Sequence, residues 1–280
     1  MTVASAEAWA NWIALDNWNV YWTGHEPYTG DAIRKASVTG GAPSTLTPAT
    51  GPLALVLDAT AAFFGQYDGT LMRVSLSGGA AVPVSTAQGN LRAIALDTDF
   101  LYWTGNDGVV KRVVKGGGTP ATVATGPFDA SDLVIAAGYA YWAAYPGANL
   151  GQILRAPVTG GTPETLVANR PAPGGLAISG SNLFWTEDKS GGGVYVCSIT
   201  ACDPTTLADG QESPRRIAFD SGFLYWLNSG NTTGTLMRIS ADGGVPLVLA
   251  RDLQSPTDLA VGGTEVYWVN WNSSVMKVAK

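Results

Sequence analysis

The chain has 280 residues, 46% hydrophobic and only 14% charged, with 16 Lys and Arg against 22 Asp and Glu for a net charge of −6. An acidic chain without Lys/Arg clusters is a poor match for a nucleic-acid backbone, and no apolar stretch reaches the ~18 residues of a membrane-spanning helix, so neither partner is expected. Glycine, at 35 residues, stands well above its usual share of about 7%, and with 16 prolines it implies many short elements joined by tight turns.

From the N-terminus, Thr2-Val3-Ala4-Ser5 is an isolated strand-like run. A unit of four short runs follows: Ile13–Asp16, the aromatic pair Tyr21-Trp22, Ile33–Ala36 and Thr45–Thr47. The unit then recurs, and its aromatic pair returns as Phe63-Phe64, Tyr102-Trp103, Tyr141-Trp142, Phe184-Trp185, Tyr225-Trp226 and Tyr267-Trp268. The spacings between second aromatics are 42, 39, 39, 43, 41 and 42 residues. The first run recurs from Leu55–Asp58 to Leu259–Gly262, and the third from Leu71–Val74 to Val275–Val278, usually followed by a Gly pair such as Gly78-Gly79. Glycine pairs supply the positive φ of tight hairpins. Each run is too short for a helix and is bounded by Gly or Pro. A period near 41 with four strands per unit is the signature of a propeller blade. The expectation is all-β: one domain over residues 1–280, a seven-bladed β-propeller of four-stranded antiparallel blades.

A fourth run follows only six of the seven third runs, the last of which ends near the C-terminus. Thr2–Ser5 matches the fourth-strand run Thr122–Thr125. The N-terminal strand is therefore predicted to complete the last blade, which closes the ring and leaves no unpaired edge.

The stretches Tyr21-Trp22-Thr23 and Tyr102-Trp103-Thr104 resemble YWTD repeats, as in LDL-receptor class B propellers. The segments Gly69–Ser75 and Gly234–Ser240 look closer to secreted bacterial propellers with YWTN-type repeats. The resemblance covers essentially the whole chain and implies the fold and an extracytoplasmic home. The sequence departs from it in having seven units where YWTD propellers usually have six. The fourth signature position reads Gly24, Gln66, Gly105, Ala144, Glu187, Asn228 and Asn270, without the signature Asp. The motif is structural, so the resemblance implies no catalytic residues.

The on-repeat aromatics are expected to pack between blades, because neighbouring strand residues face opposite sides of a sheet. The third run carries a base in six units: Lys35, Arg73, Arg112, Arg155, Arg238 and Lys277. These read as repeated pairing with neighbouring carboxylates or carbonyls rather than as a basic belt. Cys197 and Cys202 flank a hairpin turn and are expected to form a disulfide, which favours an oxidising compartment. The N-terminus shows no basic and apolar leader segments, so an extracellular or periplasmic protein whose signal peptide has been removed is the expectation. The Cys pair lacks two further ligands for zinc, and no metal or cofactor is expected.

A site is sought where residues break the repeat, because packing demands repetition and ligand binding does not. Trp9, Trp12 and Trp271, with the only histidine, His25, and Tyr28, are expected in one sector of the loop-rich face. Such rings suit stacking on sugars or flat ligands. A hydrophobic plug over the strand closure is the competing reading. At the starts of the inner strands, Arg92, Arg215, Arg216, Asp132 and Asp258 are expected to ring the mouth of the central channel. They would hold a carboxylate or polar ligand, or salt-bridge one another. Tyr67, Tyr145, Glu187, Asp188 and Asn228 are expected on outer loops of the same face. The preferred function is a secreted binding or interaction module for a carbohydrate, a small polar ligand or a protein partner. The alternative is a lyase, lactonase or cyclase using His25, Asp132 and Asp258 at the channel mouth.

Overall fold

The computed structural model describes all residues except 6, 8, 26–29, 127–128, 146–149, 231–232 and 272–273. Strand β1 (Thr2–Ser5) opens the chain, and the first blade is β2 (Ile13–Leu15), β3 (Asn19–Gly24), β4 (Ala32–Ser37) and β5 (Ser44–Pro48). The second is β6 (Pro52–Leu57), β7 (Ala61–Gln66), β8 (Leu71–Ser75) and β9 (Val82–Ser85), and the third β10 (Leu91–Leu96), β11 (Phe100–Gly105), β12 (Val109–Val114) and β13 (Ala121–Thr125). The fourth is β14 (Ala130–Ala136), β15 (Tyr139–Ala144), β16 (Gly151–Pro157) and β17 (Glu164–Arg170), and the fifth β18 (Pro173–Ser179), β19 (Asn182–Glu187), β20 (Gly192–Ser198) and β21 (Thr205–Gln211). The sixth is β22 (Pro214–Asp220), β23 (Phe223–Asn228), β24 (Gly234–Ser240) and β25 (Leu247–Leu253), followed by β26 (Pro256–Gly262), β27 (Glu265–Asn270) and β28 (Ser274–Ala279).

Every blade is a four-stranded antiparallel meander, and the seventh has the order β26-β27-β28-β1. Ser5 pairs with Ser274, Ala4 with Val275 and Thr2 with Met276. The Met1 ammonium donates to the Lys277 carbonyl at 2.8 Å. The seven-bladed ring and its closure by the N-terminal strand are as the repeat predicts.

The hairpins at the ends of the first inner strands start on aspartates. Asp16 accepts from the N–H groups of Trp18 and Asn19, both at 2.7 Å, and Asp97 from those of Asp99 and Phe100. An aspartate that bonds the backbone two residues on holds a turn. The other carboxylate oxygen takes the buried phenol of the pair, Tyr21 at 2.8 Å and Tyr102 at 2.6 Å.

The core is seven inter-blade clusters. Each holds the first aromatic of one blade and the second aromatic of the next. Tyr102 packs with Trp142, Tyr141 with Trp185, Phe184 with Trp226, and Tyr267 with Trp22 across the closure. The pair thus faces both neighbours, as strand alternation requires. The bases of the third strands act as tethers: Lys35 Nζ donates to the Leu76 carbonyl at 2.8 Å, Arg155 to that of Ile199, and Lys277 to that of Val38 at 2.7 Å. Each acceptor lies just past the third strand of the next blade. Arg112 and Arg238 lie over Phe100 and Phe223 instead. Cys197 and Cys202 form a disulfide across the β20–β21 turn, with Cα atoms 4.9 Å apart. The channel wall is apolar along Ala14, Val56, Ala95, Val134 and Ala260.

Candidate binding face

The loops between second and third strands and the connections between blades gather at one face. Each inter-blade connection ends on a residue just before the inner strand, and in four of them its conformation repeats. Gly51, Ala172, Ser213 and Ser255 all have φ between 46° and 53°, and each accepts from the N–H that follows the second strand of the blade it enters. In the connection from the seventh blade to the first, Trp9 stands at this position, with φ 51°. Positive φ is unfavourable for a bulky residue, by roughly 1–2 kcal/mol. The neighbours fix it. Ala10 is fully buried between the seventh and first blades. Glu7, itself 3% exposed, accepts from Trp22 Nε1 at 2.9 Å and pairs with Arg34 Nε at 2.9 Å.

The Trp9 ring stacks with His25 at 4.9 Å and with Trp271 at 6.5 Å, at interplanar angles of 14° and 17°. Trp9 is 37% exposed and Trp271 41%, so the packing leaves ring surface in solvent. The His25 Nδ1 lies against the Asp31 carboxylate. With Asn11, Leu53 and Tyr67, these rings line a cavity of about 360 Å³.

The channel mouth lies beside it. Arg216 bonds Asp132 at 3.3 Å through Nη1, approaches Asp258 at 3.6 Å through Nε, and lies 4.1 Å over the Trp12 ring. Both carboxylates also tie neighbouring blades. Asp132 accepts from Leu176 N–H at 2.8 Å, and Asp258 from Ile13 N–H at 3.0 Å. Burial raises the pKa of both against the pull of Arg216, and that of Asp258 reaches about 6. Arg215 pairs with Asp188 at 2.9 Å, and Arg92 with Asn106 and with Asp129 at 3.4 Å. Burial raises the Asp188 pKa, opposed by Arg215. Asn11, Ser131, Asp188, Arg215, Arg216 and Thr257 line a cavity of about 270 Å³. A further one of about 380 Å³ lies between Arg92, Tyr145, Trp12 and Arg216.

The structure brings Trp9, Trp271 and His25 together, while Tyr28 lies outside the described residues. Trp12 does not join them. It stands at the inner-strand position shared with Arg216 and Asp258, so its ring packs on the cores flanking the second blade and under the guanidinium. The five charged residues do surround the mouth, but as acid–base pairs. The constellation of the enzymatic reading is not assembled: His25 faces Asp31 in the aromatic cavity, whereas Asp132 and Asp258 hold Arg216 and strand backbone. Glu187 and Asn228 are not loop residues. Each ends a second strand, buried: Glu187 accepts from Arg170 at 2.5 Å, and Asn228 bonds Gln211, Thr235 and Trp226. Tyr67, Tyr145 and Asp188, one residue further on, do reach the face. The buried Glu7 is absent from the expected site. Its signal is an acid at the position where β17 and β21 end on Arg170 and Gln211. Among the described residues, no group of three or more His, Cys, Asp or Glu is placed to hold a metal.

No family model and no curated protein sequence matches the chain. Solved structures do. The WD40 β-propeller domain of Doa1 superposes with a TM-score of 0.79 at 11% identity, over 100% of this chain and 96% of that one. The computationally designed Ika8 protein gives 0.70 at 14% identity, over 99% and 98%. A chain of the nidogen/laminin complex gives 0.65 at 18% identity, over 79% and 90%. At such identities the likeness is one of fold.

Proposed function

We propose that residues 1–280 act as one extracytoplasmic binding domain with YWTD-like repeats. Its loop-rich face takes a saccharide or similar small polar ligand on the Trp9–His25–Trp271 cluster. The observation that carries this reading is Trp9: a large, part-exposed ring held at a positive φ that other connections adopt at Gly51, Ala172, Ser213 and Ser255. Backbone strain of this kind persists where the surroundings over-determine it, and it gathers at ligand sites. Parallel aromatic planes beside a polar rim match the apolar face and hydroxyl edge of a pyranose. The disulfide supports an oxidising compartment.

The test is Trp9→Gly. Glycine accepts the backbone conformation without strain and removes the ring. Wild type should show a rise in Tm with one saccharide class, since a ligand at 100 times its Kd stabilises by about 2.7 kcal/mol. The variant should fold and lose that rise. Equal binding by the variant, or no rise with any saccharide, overturns the reading. A protein partner is the second reading, supported by the part-exposed Trp, Tyr and Arg of the face, the residue types that anchor interfaces, and by the likeness to a chain solved in a complex with another protein.

A further inference from the structure

The aromatic cavity and the cavity at the channel mouth differ in chemistry, yet they share one wall, Asn11. The first offers ring faces. The second offers Thr257, Arg215 and Asp188, with Ser131, whose hydroxyl donates to the Pro173 carbonyl at 3.0 Å and can still accept. Among the described residues the buried Thr257 hydroxyl, on the wall of the second cavity, has no hydrogen-bond partner. Taken singly, at about 360 and 270 Å³, the cavities sit at or below the lower end of the ~300–1,000 Å³ usual for ligand sites.

The charge arrangement narrows the ligand further. Every arginine at the mouth already faces an acid: Arg215 with Asp188, Arg216 with Asp132 and Asp258, Arg92 with Asp129. These are three guanidinium groups against four carboxylates, so the mouth holds no excess positive charge to attract an acidic ligand. A hydroxyl both donates and accepts, so it can join such a pair without breaking it.

We propose that the ligand is an uncharged oligosaccharide that spans both cavities, one ring on Trp9 and Trp271 and the next at Ser131 and Arg215, with Asn11 bridging the step. This deepens the preceding reading and rests on it.

Isothermal titration with mono-, di- and trisaccharides of glucose, galactose and mannose, and with the uronic acid of each, tests it on wild type, Trp9→Gly and Asn11→Ala. In one series affinity should rise at least tenfold from mono- to trisaccharide, and the uronic acid should bind at least tenfold more weakly than its parent sugar. Asn11→Ala should lose the gain with length, so that its trisaccharide binds no more tightly than its monosaccharide, whereas Trp9→Gly should lose binding at every length. Equal affinity at all lengths, an unchanged gain in Asn11→Ala, or tighter binding of the uronic acid overturns the spanning ligand while leaving a saccharide on Trp9 intact. No binding of any sugar overturns both.

Discussion

Trp9 joins an unfavourable backbone to an exposed ring, and the two contributions oppose each other in any substitution. Glycine removes roughly 1–2 kcal/mol of left-handed strain but also the stacking on His25 and Trp271, about 0.5–1.5 kcal/mol for such pairs. Trp9→Gly should therefore melt within a few degrees of wild type, as differential scanning calorimetry would show, and a large drop would mark the ring as core. Asp258 makes a second residue-scale case. Its folded pKa of about 6 lies above the ordinary carboxylate value because burial disfavours the charge. The folded state then binds more protons than the unfolded one between about pH 4 and 6, so this residue's contribution to stability falls as pH rises through that window. Asp258→Asn removes this contribution and keeps an oxygen for the Ile13 N–H. The stability of wild type minus that of the variant should decline from pH 4 to 6 and then level off; a flat difference contradicts the assignment. Trp9 was legible in the sequence as an aromatic off the repeat. Its left-handed backbone was not, because the equivalent positions read Gly, Asn, Asp, Ala, Ser and Ser, and only a register fixed by the fold aligns them. Trp12, three residues on, lay in the same segment but immediately precedes β2, at the position that Arg216 and Asp258 hold in their inner strands, and its ring lies under Arg216 instead.

At the scale of elements, the strands follow from short apolar runs and Gly-rich turns, so the four strands of each blade were readable almost directly. What the runs conceal is where a second strand ends. Glu187 and Asn228 look like loop residues because they are polar, yet each is a buried strand terminus satisfied by the last residue of the preceding blade's fourth strand, Arg170 or Gln211. Pairing partners more than a dozen residues away leave no local pattern. The β20–β21 hairpin carries the disulfide over a separation of 5 residues. Closing so small a loop restricts the unfolded chain only modestly, so Cys197→Ser with Cys202→Ser should lose about 2 kcal/mol in urea unfolding on the chain-entropy model. β1 has a larger role. Val3 and Ala4 lie in the closure cluster with Tyr267 and Trp22. Deleting residues 1–6 should uncover β28 and lower Tm by many degrees, and an unchanged Tm would mean that the last blade stands without its outer strand.

Across the whole molecule, each blade depends on both neighbours, because its two aromatics are divided between the interfaces on either side. Trp142 and Trp226 are fully buried in different interfaces. Truncating either to Ala should cost about 3–5 kcal/mol. Circular dichroism and tryptophan fluorescence should then report one coincident transition at a lower midpoint; two separated transitions would show blades melting as independent units. Ring closure also sets an order of events during biosynthesis. Of the strands of the ring, the one that seals it is made first, yet its partner β28 is made last. Until Ser274–Ala279 emerges, β1 has a free edge and nothing to pair with, and the nascent chain carries an open arc of blades. Such an edge invites pairing with other chains, so the emergence of β28, rather than the completion of any earlier blade, is the moment at which the ring becomes safe from its neighbours.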